Sequence, residues 1–84
     1  MAEKEIGKIV HYFDKISVGI IELSDILKIG DKVRIKGHTA DFTDDVTSMQ
    51  IEHVTVSEAK AGEAVGVKVS QKVHQGDKVY KVTA

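Results

Sequence analysis

Apolar residues in this chain recur at every second position far more often than at helical spacing. Val65, Val67 and Val69 alternate with Gly66 and Lys68, Val33 and Ile35 with Arg34 and Lys36, and Ile16, Val18 and Ile20 with Ser17 and Gly19. A period of two marks a strand with one face in a core, so all three sets are expected to point inward. Gly and Asp interrupt the runs at Ser24-Asp25, Gly30-Asp31, Gly37-His38, Asp44-Asp45, Gly62 and Gly76-Asp77. Such residues turn a chain through positive φ or through a side chain bonded to nearby backbone. Strands are therefore predicted at roughly 5–14, 16–24, 31–37, 39–43, 46–56, 63–70 and 77–83. Ser57-Glu58-Ala59-Lys60-Ala61, ended by Gly62, is made of good helix formers but spans barely one turn. A turn or short 3₁₀ piece is expected there.

Short strands with a turn about every ten residues predict an all-β fold, a small closed antiparallel β-barrel in which closure removes exposed sheet edges. No Ser/Gly-rich or single-sign segment divides the 84 residues, which read as a single domain over 1–84. One tetrapeptide occurs twice, as Gly30-Asp31-Lys32-Val33 and as Gly76-Asp77-Lys78-Val79. A phosphate-binding loop needs several glycines, a Lys-Ser/Thr pair and a following helix. These copies have one Gly, an acidic residue and a strand, and read as two equivalent structural corners in which Gly supplies positive φ and Asp closes the turn.

Composition narrows the chemistry further. Twelve Lys plus Arg stand against 13 Asp plus Glu, for a net charge of −1, without the basic excess of a general nucleic-acid binder. With no Cys there is no disulfide, thiolate nucleophile or Cys-based metal site. The start MAEKEIGKIV has no apolar run of signal or membrane-span length, so a cytoplasmic location without membrane association is expected. His11, His38, His53 and His74 stand at no ligand-pairing interval, and Asp41, Asp44 and Asp45 read as a solvated hairpin tip. No serine lies in a nucleophile-elbow context. No catalytic residue, cofactor or metal is expected. Lys32, Arg34 and Lys36 alternate along one strand and share its outward face about 6.6–7 Å apart, near an RNA phosphate spacing. Lys8, Lys68 and Lys81 extend that face if their strands adjoin it.

In order along the chain, Gly7-Lys8-Ile9-Val10, Gly19-Ile20-Ile21, the run Leu27 to Gly37, Val46 to Ile51, Ala59 to Val67 and Gly76 to Val79 resemble the second domain of translational GTPases such as elongation factor Tu. The resemblance implies a closed Greek-key β-barrel standing alone, without a GTPase domain. It also implies contact with ribosomal RNA through the region of Gly7 and Lys8, and proximity of the aminoacyl end of tRNA to Lys60-Ala61-Gly62-Glu63-Ala64. Ala64 and Lys60 depart from that pattern, Lys60 losing the planar bidentate pairing of an Arg. A similar barrel forms a C-terminal appendage of U32 peptidase-like proteins. Two functions are expected: a non-enzymatic module binding ribosomal RNA, tRNA or the translation machinery through Lys8, Lys32, Arg34 and Lys36, or an accessory barrel partnering a separately encoded enzyme such as a U32 peptidase-like protein.

Overall fold

The computed structural model describes residues 2–37 and 41–83. Among the described residues there are ten strands: β1 (Ala2–Phe13), β2 (Val18–Leu23), β3 (Leu27–Lys28), β4 (Lys32–Lys36), β5 (Asp41–Asp45), β6 (Met49–Ile51), β7 (Val54–Val56), β8 (Glu58–Ala59), β9 (Ala64–Lys68) and β10 (Lys78–Thr83). Every pairing is antiparallel. Eight strands form one sheet in the order β5-β4-β10-β1-β2-β9-β6-β7, and β3 pairs with β8 as a separate ribbon.

The all-β expectation is met, but the sheet does not close into a barrel among the described residues, because β5 and β7 end it unpaired with each other. Backbone hydrogen bonds from the Ile29–Gly30 turn reach the segments just past both edge strands. The Ile29 N–H donates to the Ser57 carbonyl (3.0 Å), just past β7, and the Gly30 N–H donates to the Val46 carbonyl (2.8 Å), just past β5. The edge that closure would have removed at β5 is instead lined by Asp41, Asp44 and Asp45. Charge on an edge strand is a recognised guard against further pairing.

The repeated tetrapeptide builds one backbone device, and the structure adds a third copy. In each, a turn carries a glycine at its third position, with φ of 95° at Gly30, 90° at Gly62 and 96° at Gly76. Positive φ there alone is the mark of a type II turn. The fourth residue's N–H donates to the first residue's carbonyl at 3.1 Å, from Asp31 to Lys28, Glu63 to Lys60 and Asp77 to His74. Its carboxylate accepts in return from the first residue's N–H: Lys28 to Asp31 (2.9 Å), Lys60 to Glu63 (2.7 Å) and His74 to Asp77 (2.9 Å).

Each turn then grips one residue of another segment on both sides of its peptide. Gly30 N–H donates to Val46, whose own N–H donates to the Asp31 carbonyl. Gly62 and Glu63 hold Leu23 in the same way, and Gly76 and Asp77 hold Ile9. All three gripped residues belong to the buried core. A turn is expected at Gly62 from the sequence, but its likeness to the other two is hidden because Glu63 replaces Asp. Glu58–Ala59 is in fact the strand that pairs with β3.

The core is aliphatic and takes its members from almost every strand, with Val33, Ile35, Val65, Val67 and Val69 facing it as alternation predicts. In β2 the phase is inverted: Gly19, Ile21 and Leu23 are buried, whereas Val18 and Ile20 are half-buried on the opposite face and Ile16 is 61% exposed. Both faces of this segment are apolar, so alternation alone does not choose between them. In β1, Ile6 and Ile9 are both buried at a spacing of three, because register shifts between Glu5 and Gly7 and between Ile9 and His11 each insert an extra residue. The predicted 46–56 strand is two, β6 and β7, joined at Glu52 and His53 with φ of 51° and 67°. Asp44 and Asp45 lie within β5 rather than in a turn.

Ala at Gly30, Gly62 or Gly76 is expected to cost about 1–2 kcal/mol each, the penalty for a side chain in left-handed backbone. The three costs should be similar, because a β-carbon at each position meets nothing within 4 Å. Urea unfolding of the three variants checks this. A neutral variant would show that its corner relaxes to another turn type.

Candidate interaction groove

The cationic strand proposed from the sequence is solvent-facing, but its centre is internally compensated. Arg34 donates through Nε to Asp41 Oδ1 at 2.8 Å, through Nη2 to Asp41 Oδ2 at 3.0 Å and through Nη1 to Glu3 at 3.0 Å. This fork occupies the edges of the guanidinium that would grip a phosphate. The hydrogen bonds from Arg34 hold the Asp41 carboxyl below its ordinary range, and those to Asp41 and Glu3 hold the guanidinium above its own. Lys32 and Lys36 are exposed and lie cross-strand from Asp45 and Asp41.

Lys8 is not beside β4. Strand β10 intervenes, and the register runs Lys36, Lys78, Lys8 and Glu22 across β4, β10, β1 and β2. Lys78, which joins Lys36 to Lys8, is the member of this row that sequence reading omits. Its side chain lies 3.7 Å from Glu5, and Lys81 lies 3.3 Å from Asp31. Among the histidines, His11 packs edge-on to Phe13 with ring centres 4.4 Å apart, the His74 N–H caps the Asp77 corner, and His38 lies outside the described residues. Among the described residues no three His, Asp or Glu side chains gather as a metal site.

The inverted phase of β2 creates a feature the sequence did not announce. Phe13, Ile16, Val18 and Ile20 leave the core and, with Gln50, Glu52, His53, Ala64 and Gly66, line an open, largely apolar groove of about 340 Å³. Its floor follows β9, where Ala64 and Gly66 are small. Gly66 lies opposite Ile20 on one side and Gln50 on the other. A β-carbon at Gly66 would stand 3.2 Å from Val18 Cγ1 and 3.3 Å from Ile20 Cδ1, so these side chains already lean over the glycine and leave little room for a larger residue there. Phe13 is 45% exposed at its end. Contiguous exposed apolar surface of this kind is where soluble proteins meet partners. A second hollow, beside Asp44, Asp45 and Ser70, is less free, because the Asp44 carboxylate accepts from the Ser70 N–H at 2.7 Å.

Comparison with solved structures decides which fold this is. The chain superposes with a TM-score of 0.89 over 95% of its length, and 93% of the other chain, on the C-terminal domain of a Geobacillus thermoleovorans protein assigned to the U32 peptidases, at 17% sequence identity. The selenomethionine variant of that domain gives 0.86 over 90% of this chain and 96% of the other, at 16% identity. The fold is that of a U32 peptidase C-terminal domain.

Sequence likeness runs the same way. The chain is 49% identical over 77 residues to an uncharacterized protease of Methanocaldococcus jannaschii and 33% identical over 78 residues to a collagenase of Porphyromonas gingivalis. Each match covers 90% of this chain but only 19% and 22% of those relatives, so the chain spans about a fifth of their length. No protein-family model matches it.

These likenesses correct the translation-factor resemblance, and with it the expectation of an elongation-factor or ribosomal role. The motifs that carried the resemblance have a local explanation. Leu27 to Gly37, Ala59 to Val67 and Gly76 to Val79 contain the three turns that grip the core, and Gly7-Lys8 follows a β1 bulge. Such devices are backbone solutions open to any small antiparallel fold, and carry no information about RNA.

The Asp25 carboxyl, like that of Asp41, is held below its ordinary 3.8, in this case first by a hydrogen bond from Lys4 and then by one from the Ile26 N–H. A lowered folded-state value means stabilisation that is fully present above the ordinary value and lost as the pH falls through the folded value. Thermal unfolding is expected to be flat in this respect from pH 5 to 7 and to weaken below about pH 4. Arg34→Met should flatten the Asp41 part of that acid limb. An unchanged limb in the variant would remove Arg34 as its cause.

Proposed function

We propose that the 84 residues act as one non-enzymatic accessory module that partners a U32 peptidase-like protein. The observation that carries this reading is the proportion of the match: nine-tenths of this chain is shared with a fifth of the archaeal protease, and the shared fold is that of a C-terminal domain. The reading assigns peptide hydrolysis to the partner and binding to this chain. The apolar groove, rather than the Lys32-Arg34-Lys36 strand, supplies the unsatisfied surface such a role requires.

Mixing the purified chain with a U32 peptidase-like body that lacks this domain is expected to give a 1:1 complex by calorimetry, with a dissociation constant of about micromolar. Because the contact is mainly apolar, raising NaCl from about 0.1 to 0.5 M should weaken it less than tenfold, whereas a phosphate-contacting surface loses affinity steeply over that range. Arg34→Ala should bind as wild type. Absence of a complex at about 100 μM of each component would overturn the proposal.

A further inference from the structure

The groove is polarised, and its polarity specifies what it takes. Outward residues of β9 run from Lys68 through Gly66 to Ala64, and their register partners on β2 run from Val18 through Ile20 to Glu22. The apolar part of the groove is therefore made by Val18 and Ile20, whose side chains lie over Gly66. One step of the pleat further, about 6.6–7 Å, lies Ala64, opposite Glu22. Glu52 lines the same groove. Glu22 and Glu52 are both exposed, and among the described residues neither is in an ion pair. Glu52 and His53 are held together in left-handed backbone, a conformation costing of order 1–2 kcal/mol per residue outside glycine, and this fixes where the Glu52 side chain leaves the turn.

From this we infer that the groove receives an extended segment of the peptidase-like partner bearing an apolar side chain and, two residues away, a lysine or arginine. The inference rests on the accessory reading above. An extended segment repeats its side chains on one face every second residue, which matches the one pleat step from Ile20 to Glu22. The apolar side chain packs against Phe13, Ile16, Val18 and Ile20. The cation meets Glu22 and Glu52.

The test is a ¹⁵N-NMR titration of the intact chain with two blocked tetrapeptides, Ser-Phe-Ser-Lys and Ser-Phe-Ser-Glu, and separately with the purified U32 peptidase-like body. The lysine peptide should shift the amides of Ile20, Gly66 and Glu52 and bind at least about fivefold tighter than the glutamate peptide. Glu52→Lys should reverse that preference. Ile16→Asp and Gly66→Ala, each checked for a dispersed native spectrum, should each weaken the peptidase complex roughly tenfold. If the complex forms and both variants bind like wild type, the groove inference falls and the accessory reading stands. If no complex forms but the lysine peptide is selected at these amides, the accessory reading falls and the groove chemistry stands. Equal binding of the two peptides, or shifts of the same amides on concentrating the chain alone, which would assign the groove to a second copy, overturns the inference.

Discussion

Two reciprocal hydrogen bonds from a turn to one core peptide are the constraint on which this fold depends. Ten short strands, eight in one sheet and two in a ribbon, leave many backbone groups at strand ends, and each one buried without a partner is costly. The glycine turns resolve this at three places, at Val46, Leu23 and Ile9. In each, the glycine N–H and the following carbonyl face the same way because left-handed backbone rotates the peptide between them. The acidic side chain then ties the turn shut on its own first residue. The three grips link β1, β2 and the segment after β5 to turns that are distant in sequence. The Asp77 carboxylate is itself buried, at 5% exposure, so this corner belongs to the core more than its counterparts do.

The grip on Leu23 has a consequence for the surface. Leu23 is fixed inward, and alternation then sends Ile20 and Val18 outward. Strand β2 is apolar on both sides, so its outward set becomes exposed apolar surface beside the small residues of β9. The cationic face behaves in the opposite way. Arg34 satisfies its charge within the fold through Asp41 and Glu3 and is left with little to offer an external anion. Free surface capacity lies with the apolar groove and its two carboxylates.

Where one face of a strand was polar, its orientation was legible from residue order: Val33 and Ile35 in β4 and the valines of β9 face the core as alternation requires. The corners at Gly30 and Gly76 were legible because Gly-Asp has few other uses. A turn at Gly62 was legible too, but its identity with the other two corners was not, since Glu63 stands where they have Asp. The spacing of Ile6 and Ile9 resisted reading because a bulge is a property of two strands and leaves no mark in one. The same holds for the choice between an open and a closed sheet, which depends on whether β5 and β7 meet.

The sequence by itself determined the class of fold, several of the places where the chain turns, the absence of thiol chemistry and the near balance of charge, all of which depend on residue type and local spacing. Tertiary structure decided which face of β2 is buried, which carboxylates close on Arg34 and which lysine stands between Lys36 and Lys8. It also decided that Gly66 lies between Ile20 and Gln50, beneath the Val18 and Ile20 side chains. Each of these is set by cross-strand register, and register is fixed by the bulges in β1 and by turns that grip residues far along the chain, so it exists only once the strands have paired.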